Sequence, residues 1–469
     1  VAVTDTGNLY KSIEFYEECI KNNIKPILGC EFALTENLSV KSSKSFSTLT
    51  LIAANNDGWR NLKKLVTIAN TQGFYYRPRI DKEALFRNAQ GLICLSGDIN
   101  SELSRLIIEN DLQAATALCQ TYREVFGANF YVEINQNGFP YQELVTRQSR
   151  SLAQSLGIAC VGTCDVRYLK PEDYYLYEVV LAMDDDRKMS EPTTLEHPHG
   201  RYVPPSREHY LKSAKEAREI FTEEEIWATL EIAQTCDVSI DFKTIHIPKY
   251  NKTYTEPTSY DKLRALLYEG LKQKNIPTSN TTYIERIKKE LADIKDCGLT
   301  EYFLILWDII AWAKSQNIWI GPGRGSAAGS LVSYLLGITD LDPIHYNLIW
   351  ERFYNAGRKG ALADIDVDVE IDRREEVINY IRQTYGEHRV LQMITMGTLT
   401  TKNILKDVGK VFEVDYDTMN EITSHVAHKV DDLKDALSKS EKLTEYSQQY
   451  KKVFNIAEQL EGIIKSSGS

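Results

Sequence analysis

No histidine precedes His197 in this chain of 469 residues. Imidazole is a leading ligand for zinc, manganese and iron, so a histidine-built transition-metal centre is excluded from everything upstream of that residue. The eight cysteines form no Cys-x-x-Cys pair, which argues against a zinc site or a disulfide framework and for reduced thiols. Long apolar runs are missing as well. The nearest, Tyr302 to Ala313, contains Asp308 and falls short of the ~18 residues a membrane span needs. The chain opens at Val1 without a charged-then-apolar leader, so a cytoplasmic location with no membrane partner is expected. Positive charge is in deficit, with 55 Lys and Arg against 66 Asp and Glu and a formal net charge of −11. That sum argues against a nucleic-acid partner, yet distribution outweighs the total. Between Arg324 and Lys359, the bases Arg324, Arg352, Arg358 and Lys359 face only Asp340, Asp342 and Glu351, so a local cationic channel on an acidic body is expected.

What is present suits a packed globular protein: 43% hydrophobic and 26% charged residues, at a length that predicts two or three domains. The most informative segment is Ala363-Asp364-Ile365-Asp366-Val367-Asp368-Val369. Its alternation has the period of a strand, with Ile365, Val367 and Val369 on one face and three carboxylates on the other. Neighbours on that face stand roughly 6.5–7 Å apart at Cα. Like charges that close repel, and a hard cation such as Mg²⁺ is the usual remedy. Paired carboxylates holding two metals are a standard device for in-line phosphoryl displacement. Alone, the pattern fits an edge strand with a solvated acidic face better; the Gly-rich loop upstream reverses that balance.

About forty residues upstream lies Gly321-Pro-Gly-Arg-Gly-Ser-Ala-Ala-Gly-Ser330, after the apolar run Ile318-Trp-Ile320 and before an apolar stretch to Leu336. Strand, Gly-rich turn and a helix over Ser326–Leu336 predict an anion site, because backbone N–H groups and the helix dipole favour phosphate there. Gly321, Gly323 and Gly325 permit close approach, Arg324 offers a forked donor, and Ser326 can cap the helix or reach a phosphate oxygen. The spacing is neither that of Walker A nor that of the dinucleotide fingerprint.

In order along the chain stand Glu301-Tyr-Phe-Leu-Ile305, Trp312-Ala-Lys314, the Gly-rich loop, Gly337-Ile-Thr-Asp-Leu-Asp-Pro343, Glu351-Arg-Phe353, the alternating aspartates, Gln392-Met-Ile-Thr-Met-Gly-Thr-Leu399 and Lys406-Asp-Val-Gly-Lys410. This series resembles the palm and thumb of the bacterial C-family replicative polymerases, the DNA polymerase III alpha subunits. Upstream, Val3-Thr-Asp5, Gly7-Asn-Leu9, Ile24-Lys-Pro-Ile-Leu-Gly-Cys-Glu31 and Gly91-Leu-Ile-Cys-Leu-Ser-Gly97 resemble the PHP (polymerase and histidinol phosphatase) domain of that family. The implied fold is α/β. A distorted (β/α)7-type PHP barrel over 1–242, its first strand missing, precedes a mixed α/β palm over 243–395 and a mainly helical, incomplete thumb over 396–469. The chain is thus expected to be a fragment, with the fingers, the clamp-binding segment and the third catalytic aspartate beyond Ser469.

Local patterns accord with this. Val1–Thr4, Ile24–Leu28, Thr48–Ala54, Leu92–Ser96, Phe130–Ile134 and Ile158–Gly162 read as strands, with helical patterns over Ser12–Lys21, Trp59–Ile68 and Leu103–Phe126. Asp5, Glu31, Asp98, Glu133 and Asp165 recur at or just after strand ends, where barrel active sites form. The family's metal-binding form of this domain uses several histidines. At the positions the resemblance assigns to them this chain has Thr6, Thr48, Asn137 and Arg167. A degenerate, metal-free site at Asp5, Glu31, Glu133 and Asp165 is therefore expected, its carboxylates satisfied by hydrogen bonds or by Arg167. His197 and His199 fall in a polar, proline-rich surface loop, Met183–Ser206. Lys243–Asp261 reads as a linker. Tyr283–Cys297 is an amphipathic helix stopped by Gly298, Glu301–Lys314 a buried one whose aromatics are core, and Asp372-Arg-Arg-Glu375 a capping box opening Arg373–Tyr385 with Ile371 as staple.

The resemblance implies template-directed DNA synthesis, with Asp364 and Asp366 as catalytic ligands for two Mg²⁺ ions and Asp368 as a supporting neighbour. Gly325, Ser326, Arg352 and Arg358 are the implied contacts to the incoming dNTP. Ala363, where the family has proline, and an extra residue within Gly357–Leu362 depart from the pattern. The implied partners are primer–template DNA, dNTP and other replicase subunits: the sliding clamp, the clamp loader and a proofreading exonuclease. Two other readings stand beside it, a polymerase-derived DNA-binding or scaffold module without chemistry, and a PHP-type phosphoesterase or 3′–5′ exonuclease.

Overall fold

The computed structural model describes residues 1–41, 46–194, 200–244, 246, 248–354 and 364–468, with 465–468 as backbone. The chain forms two compact units, Val1–Ile240 with Met396–Gly468, and Asp241–Thr395.

In the first unit seven strands make one curled, half-barrel sheet. They are β1 (Ala2–Thr6), β2 (Ile27–Thr35), β3 (Ser47–Ala53), β4 (Arg79–Asp81), β5 (Leu92–Leu95), β6 (Phe130–Asn135) and β7 (Cys160–Thr163). The order is β1-β2-β3-β5-β6-β7, with β4 beside β2. Only β3 runs antiparallel to its neighbours. The carboxyl ends of β5, β6 and β7 therefore share a rim with the end of β1 and the start of β3. β2 is buried on both faces over most of its length, which explains its unbroken apolar sequence. Covering helices bury one stripe each; in Asn56–Thr71 it is Trp59, Leu62, Leu65 and Ala69. Asn55 caps that helix by accepting from the Asp57 and Gly58 amides at 3.0 Å. A Cβ on Gly58 would lie 1.8 Å from the Gly91 carbonyl oxygen, so glycine alone lets the helix rest on that turn.

The pattern read as one helix over Leu103–Phe126 is two, Glu102–Ile108 and Leu112–Phe126. Asn110 turns left-handed between them (φ 61°), and Asp111 caps the second. Residues 396–468 belong to this unit. Leu399, Ile404, Leu405 and Val408 share a core with Val179 and Ala182 of the helix Tyr174–Asp184, and the Met189 amide donates to the Val411 carbonyl at 3.1 Å.

In the second unit the helices Ser259–Gln273, Thr281–Asp296 and Thr300–Ser315 surround a core containing Leu267, Leu291, Phe303, Leu331 and Trp350. Phe303 is buried, and Trp312 stacks on Tyr380 with ring centroids 4.1 Å apart, so these aromatics serve packing. Three local expectations are corrected here. The helix expected over Ser326–Leu336 is a 3-10 turn, Gly325–Gly329, and a short helix, Leu331–Leu335, parted at Ser330. The strand expected at the aspartates pairs only through an antiparallel bridge between Ile320 and Val369. It is flanked by Gly321 N–H to Asp368 O at 2.9 Å and Glu370 N–H to Trp319 O at 3.1 Å. The capping box at Asp372 does not form, and Ile371, 86% exposed, staples nothing. Arg373 ties that helix down instead, through Glu376 at 2.8 Å and the Gln316 carbonyl at 3.0 Å. Tyr380 and Tyr385 add bonds to the buried Asp308 carboxylate at 2.9 and 3.2 Å.

Candidate functional site

Among the described residues, each unit brings chemically active side chains together. In the second, the expected alternation is realised in burial even though no ladder forms. Ile365 is 7% exposed and packs in the core with half-buried Val367, while Asp364, Asp366 and Asp368 are all exposed. The Ile365 amide donates to the Tyr302 hydroxyl at 3.1 Å. Burial pushes that phenol up, the Ile365 hydrogen bond opposes it, and the charges of Asp364 and Asp366 add to the rise.

The Gly-rich loop lies against the acidic face. A Cβ on Gly321 would meet the Asp368 Cβ at 3.0 Å, and one on Gly325 would come within 3.8 Å of Asp366 Oδ2. Gly325 has φ 64°, a conformation that glycine adopts without strain. Arg324 sets its Nη2 3.4 Å from Asp366 Oδ1 and its Nε 3.3 Å from Asp368 Oδ1. All three side chains are substantially exposed, and such pairs contribute at most about 1 kcal/mol. Arg324 was expected as a phosphate donor; here it balances the aspartates and is held weakly enough to be displaced.

The helix starts later than expected, at Leu331, and that start is closed to an external anion. The Leu331 and Val332 amides donate to Glu290 Oε1 and Oε2 at 3.0 and 2.9 Å, and Ser330 Oγ donates to Oε2 at 3.0 Å. An internal carboxylate, 0% exposed, already fills that helix N-terminus, so no phosphate can. The donors left to a ligand are those of the preceding turn, where the amides of a first helical turn lack partners within it. Half-buried Ser326 stands in that turn. Arg352 is exposed on the turn Trp350–Arg352 and makes no ion pair among the described residues. Glu351 pairs with Lys289, and Asp340 with Lys314 at 3.3 Å. Arg358, Lys359, Gly357–Leu362 and Ala363 lie outside the described residues, as do His197 and His199. Among the described residues no three His, Cys, Asp or Glu side chains converge on one point. Asp364 and Asp366 offer hard, exposed oxygens on one side of an extended segment, a donor set that fits Mg²⁺, which takes one or two carboxylates and keeps waters.

In the first unit the strand-end residues do gather at one rim. Thr6 and Glu31 are register partners across β1 and β2, and the Thr6 hydroxyl donates to Glu31 Oε1 at 2.9 Å. Thr48 donates to Asp98. Thr163 donates to Glu133 Oε1 at 2.6 Å, and the Ser96 hydroxyl accepts the Glu133 amide at 2.9 Å. Glu133 Oε2 is buried without a partner among the described residues. Arg167 Nη2 lies 2.8 Å from Asp165 Oδ1. His209, 3% exposed, sets Nδ1 3.3 Å from Asp165 Oδ2 and 3.4 Å from the Asn137 amide.

Burial pushes the Glu133 carboxyl up to about 7, with Asp98, Glu31 and Asp165 adding to it against the Thr163 hydrogen bond. Burial likewise raises Glu31 and Asp5, and Arg167 opposes both. Against the penalty of burial, the His209 hydrogen bond and the Arg167 guanidinium hold Asp165 below its ordinary value. A transition-metal centre does not fit this rim. A guanidinium already sits on one carboxylate, hydroxyls of Thr6 and Thr48 take up two more, and the imidazole present is turned onto Asp165 and Asn137. Sequence reasoning did not find His209, because it follows the proline-rich segment and no strand-end pattern marks it.

Two family models match the chain in succession. Residues 1–137 match the PHP domain, and residues 261–469 match the model described as bacterial DNA polymerase III alpha NTPase domain. DNA polymerase III subunit alpha of Chlamydia trachomatis serovar D is 33% identical, over 100% of this chain and 42% of that protein. Its namesake from Borreliella burgdorferi is 37% identical over 91% of this chain and 37% of its own length. The one from Thermus aquaticus is 32% identical over 99% and 43%. The chain belongs to the family of bacterial DNA polymerase III alpha subunits. It spans about two fifths of the length of these curated relatives. Among the described residues no helix is long and apolar enough to cross a membrane.

Proposed function

We propose that this chain carries the metal-holding and triphosphate-holding parts of a template-directed DNA polymerase, with 243–395 as palm, 396–469 as thumb segment and 1–242 as a PHP platform. The observation that carries this reading is the exposed carboxylate face that Asp364 shares with Asp366, whose Oδ2 lies against the Gly325 turn. The two aspartates hold Mg²⁺, whose ions, when bound, activate the primer 3′-hydroxyl and neutralise the triphosphate. The Gly325 and Ser326 amides and the Ser326 hydroxyl orient the triphosphate of the incoming dNTP. Arg352, with Arg358, supplies forked donors for its oxygens. Asp368 keeps Arg324 at the edge of the loop. Primer–template DNA is the second substrate; the clamp, clamp loader and proofreading subunit are partners of the longer protein. In a protein extended to the length of its relatives, Gly325→Val raises the Michaelis constant for dNTP by blocking backbone approach, while DNA affinity holds. Loss of DNA affinity with nucleotide affinity unchanged assigns the loop to the template instead.

The PHP platform, in the same reading, holds no transition metal and hydrolyses nothing, because Arg167 supplies positive charge beside Asp165 and burial favours the neutral form of Glu133, which leaves less negative charge for a metal to balance. The Glu133 carboxyl stands at about 7 in the fold against ~4.3 in the unfolded chain. A raised carboxyl favours the folded state fully at low pH and loses that advantage as pH climbs between those two values. Glu133→Gln, neutral throughout, is therefore expected to match the wild type near pH 4.5. At pH 8 it is expected to exceed it by about 2–3 kcal/mol, read as a higher melting temperature for the first unit. Elemental analysis should find no stoichiometric zinc, manganese or iron. Bound metal, with the Gln variant destabilised at pH 8, overturns the assignment.

A further inference from the structure

The two elements to which we assign the triphosphate contacts, the Gly325–Gly329 turn and the Trp350–Arg352 turn, are separate in sequence. Both are held by one stripe of the helix Thr281–Asp296. Arg286 Nη2 donates to the Gly329 carbonyl at 2.7 Å and to the Leu348 carbonyl at 3.3 Å. A single guanidinium thus bridges the end of the first turn and the approach to the second. One helical turn on, Glu290 fixes the guanidinium through Nε at 2.7 Å and takes up the Leu331 and Val332 amides. At the next turn Asp293 accepts the Trp350 indole N–H at 2.7 Å. Residues at i, i+4 and i+7 share a helix face, so the spacing of Arg286, Glu290 and Asp293 aligns all three with these loops. The Arg286 side chain is only 17% exposed and Glu290 is buried, so solvent competes little with the bonds. Their neighbours Ile287, Leu291 and Ile294 anchor the same helix in the core.

We propose that Arg286, Glu290 and Asp293 form a positioning splint that sets the distance between the Gly-rich turn and the Arg352 turn, and thereby tunes affinity for the incoming dNTP. The proposal rests on the reading of those turns as the triphosphate cradle. Arg286 touches no substrate in it. Its planar fork reaches two carbonyls at once, which a lysine ammonium on a flexible stem does not reproduce. Trp350, buried in the core, needs its N–H only for Asp293.

The test uses the protein extended to the length of its relatives, with dATP and a primed template. Arg286→Lys should raise the Michaelis constant for dATP roughly tenfold or more, since displacement by a fraction of an ångström to 1 Å carries effects of that order. Turnover should stay within about threefold and primer–template affinity within about twofold. Trp350→Phe, which loses the N–H and part of the buried ring but leaves Arg286 and Glu290 in place, should shift the same constant in the same direction by less. Should Arg286→Lys unfold, Trp350→Phe carries the test alone. Hydrogen exchange supplies a readout independent of activity, because amides of both 325–329 and 348–352 should exchange faster in Arg286→Lys at unchanged global stability. Faster exchange confined to one turn, or a Michaelis constant unchanged in folded Arg286→Lys although Gly325→Val and Arg352→Ala both raise it, overturns the splint. Gly325→Val and Arg352→Ala serve as controls. If neither moves the dATP constant while exchange in Arg286→Lys rises at both turns, the splint stands and the cradle reading falls.

Discussion

Replacing Asp364 or Asp366 with Asn, in a protein extended to the length of its relatives, is expected to abolish primer extension by roughly a thousandfold or more, because electrostatic stabilisation of a phosphoryl transition state supplies several kcal/mol. Asn keeps the shape of Asp and removes the charge that holds a divalent cation. The fold should persist, since both carboxylates are exposed and the buried contacts belong to Ile365 and Val367. Metal-free stability should even rise slightly, as one of three crowded like charges is gone. Asp368→Asn should lower activity far less. Its side chain meets Arg324 Nε, and the backbone contact to Gly321 N–H runs through its carbonyl and survives the change. Steady-state extension assays on the three variants decide the matter. An Asp368 variant as inactive as the others, beside an Asp364 or Asp366 variant that still extends primers, defeats the assignment.

The legible part of this molecule was what repeats. Alternation at 364–369 announced which side chains face the core, and it holds without a ladder because burial, not backbone pairing, enforces it. Strand runs ending in Asp5, Glu31, Glu133 and Asp165 announced a rim, and the sheet does set the ends of those strands on one side. What stayed hidden depends on single long-range contacts. The amphipathic reading of Tyr283–Cys297 saw the apolar stripe and passed over Arg286, Glu290 and Asp293, whose loop partners lie forty or more residues away. The same blindness hid what fills the start of the helix at Leu331. Sequence starts the helix at Ser326, and shows neither that it begins at Leu331 nor that an internal carboxylate has already claimed its amides. His209 is a third case, since a lone histidine after a proline-rich segment has no periodicity to give it away. The capping box failed because the chain leaves Asp372 in a 3-10 turn, where its carboxylate cannot reach back to the helix amides.

Glu290 also carries the largest expected stability effect. Its two oxygens accept from the Leu331 and Val332 amides, the Ser330 hydroxyl and Arg286 Nε, all inside the protein. Burial pushes its carboxyl up, and the Val332 and Leu331 amides with Arg286 pull it back. Those donors are the reason that an acid is tolerable there at all. Glu290→Ala leaves four donors and one guanidinium charge facing a cavity, and removing one partner of a buried pair typically costs about 3–5 kcal/mol. Glu290→Gln keeps one acceptor and turns an N–H₂ toward groups that are themselves donors, so its loss should fall between wild type and Ala. The site offers Arg286 two carbonyls besides Glu290, which leaves the Gln variant a folded core. Urea unfolding followed by hydrogen exchange across 325–335 reads the effect where it arises, in the Asp241–Thr395 unit, and separates it from unfolding of the PHP platform. A Glu290→Ala protein within about 1 kcal/mol of wild type would mean that water or a rearranged Arg286 satisfies those donors, since a typical hydrogen bond contributes no more than that net. The helix at Leu331 would then be open to an external anion after all, and added inorganic phosphate should stabilise the Ala variant alone.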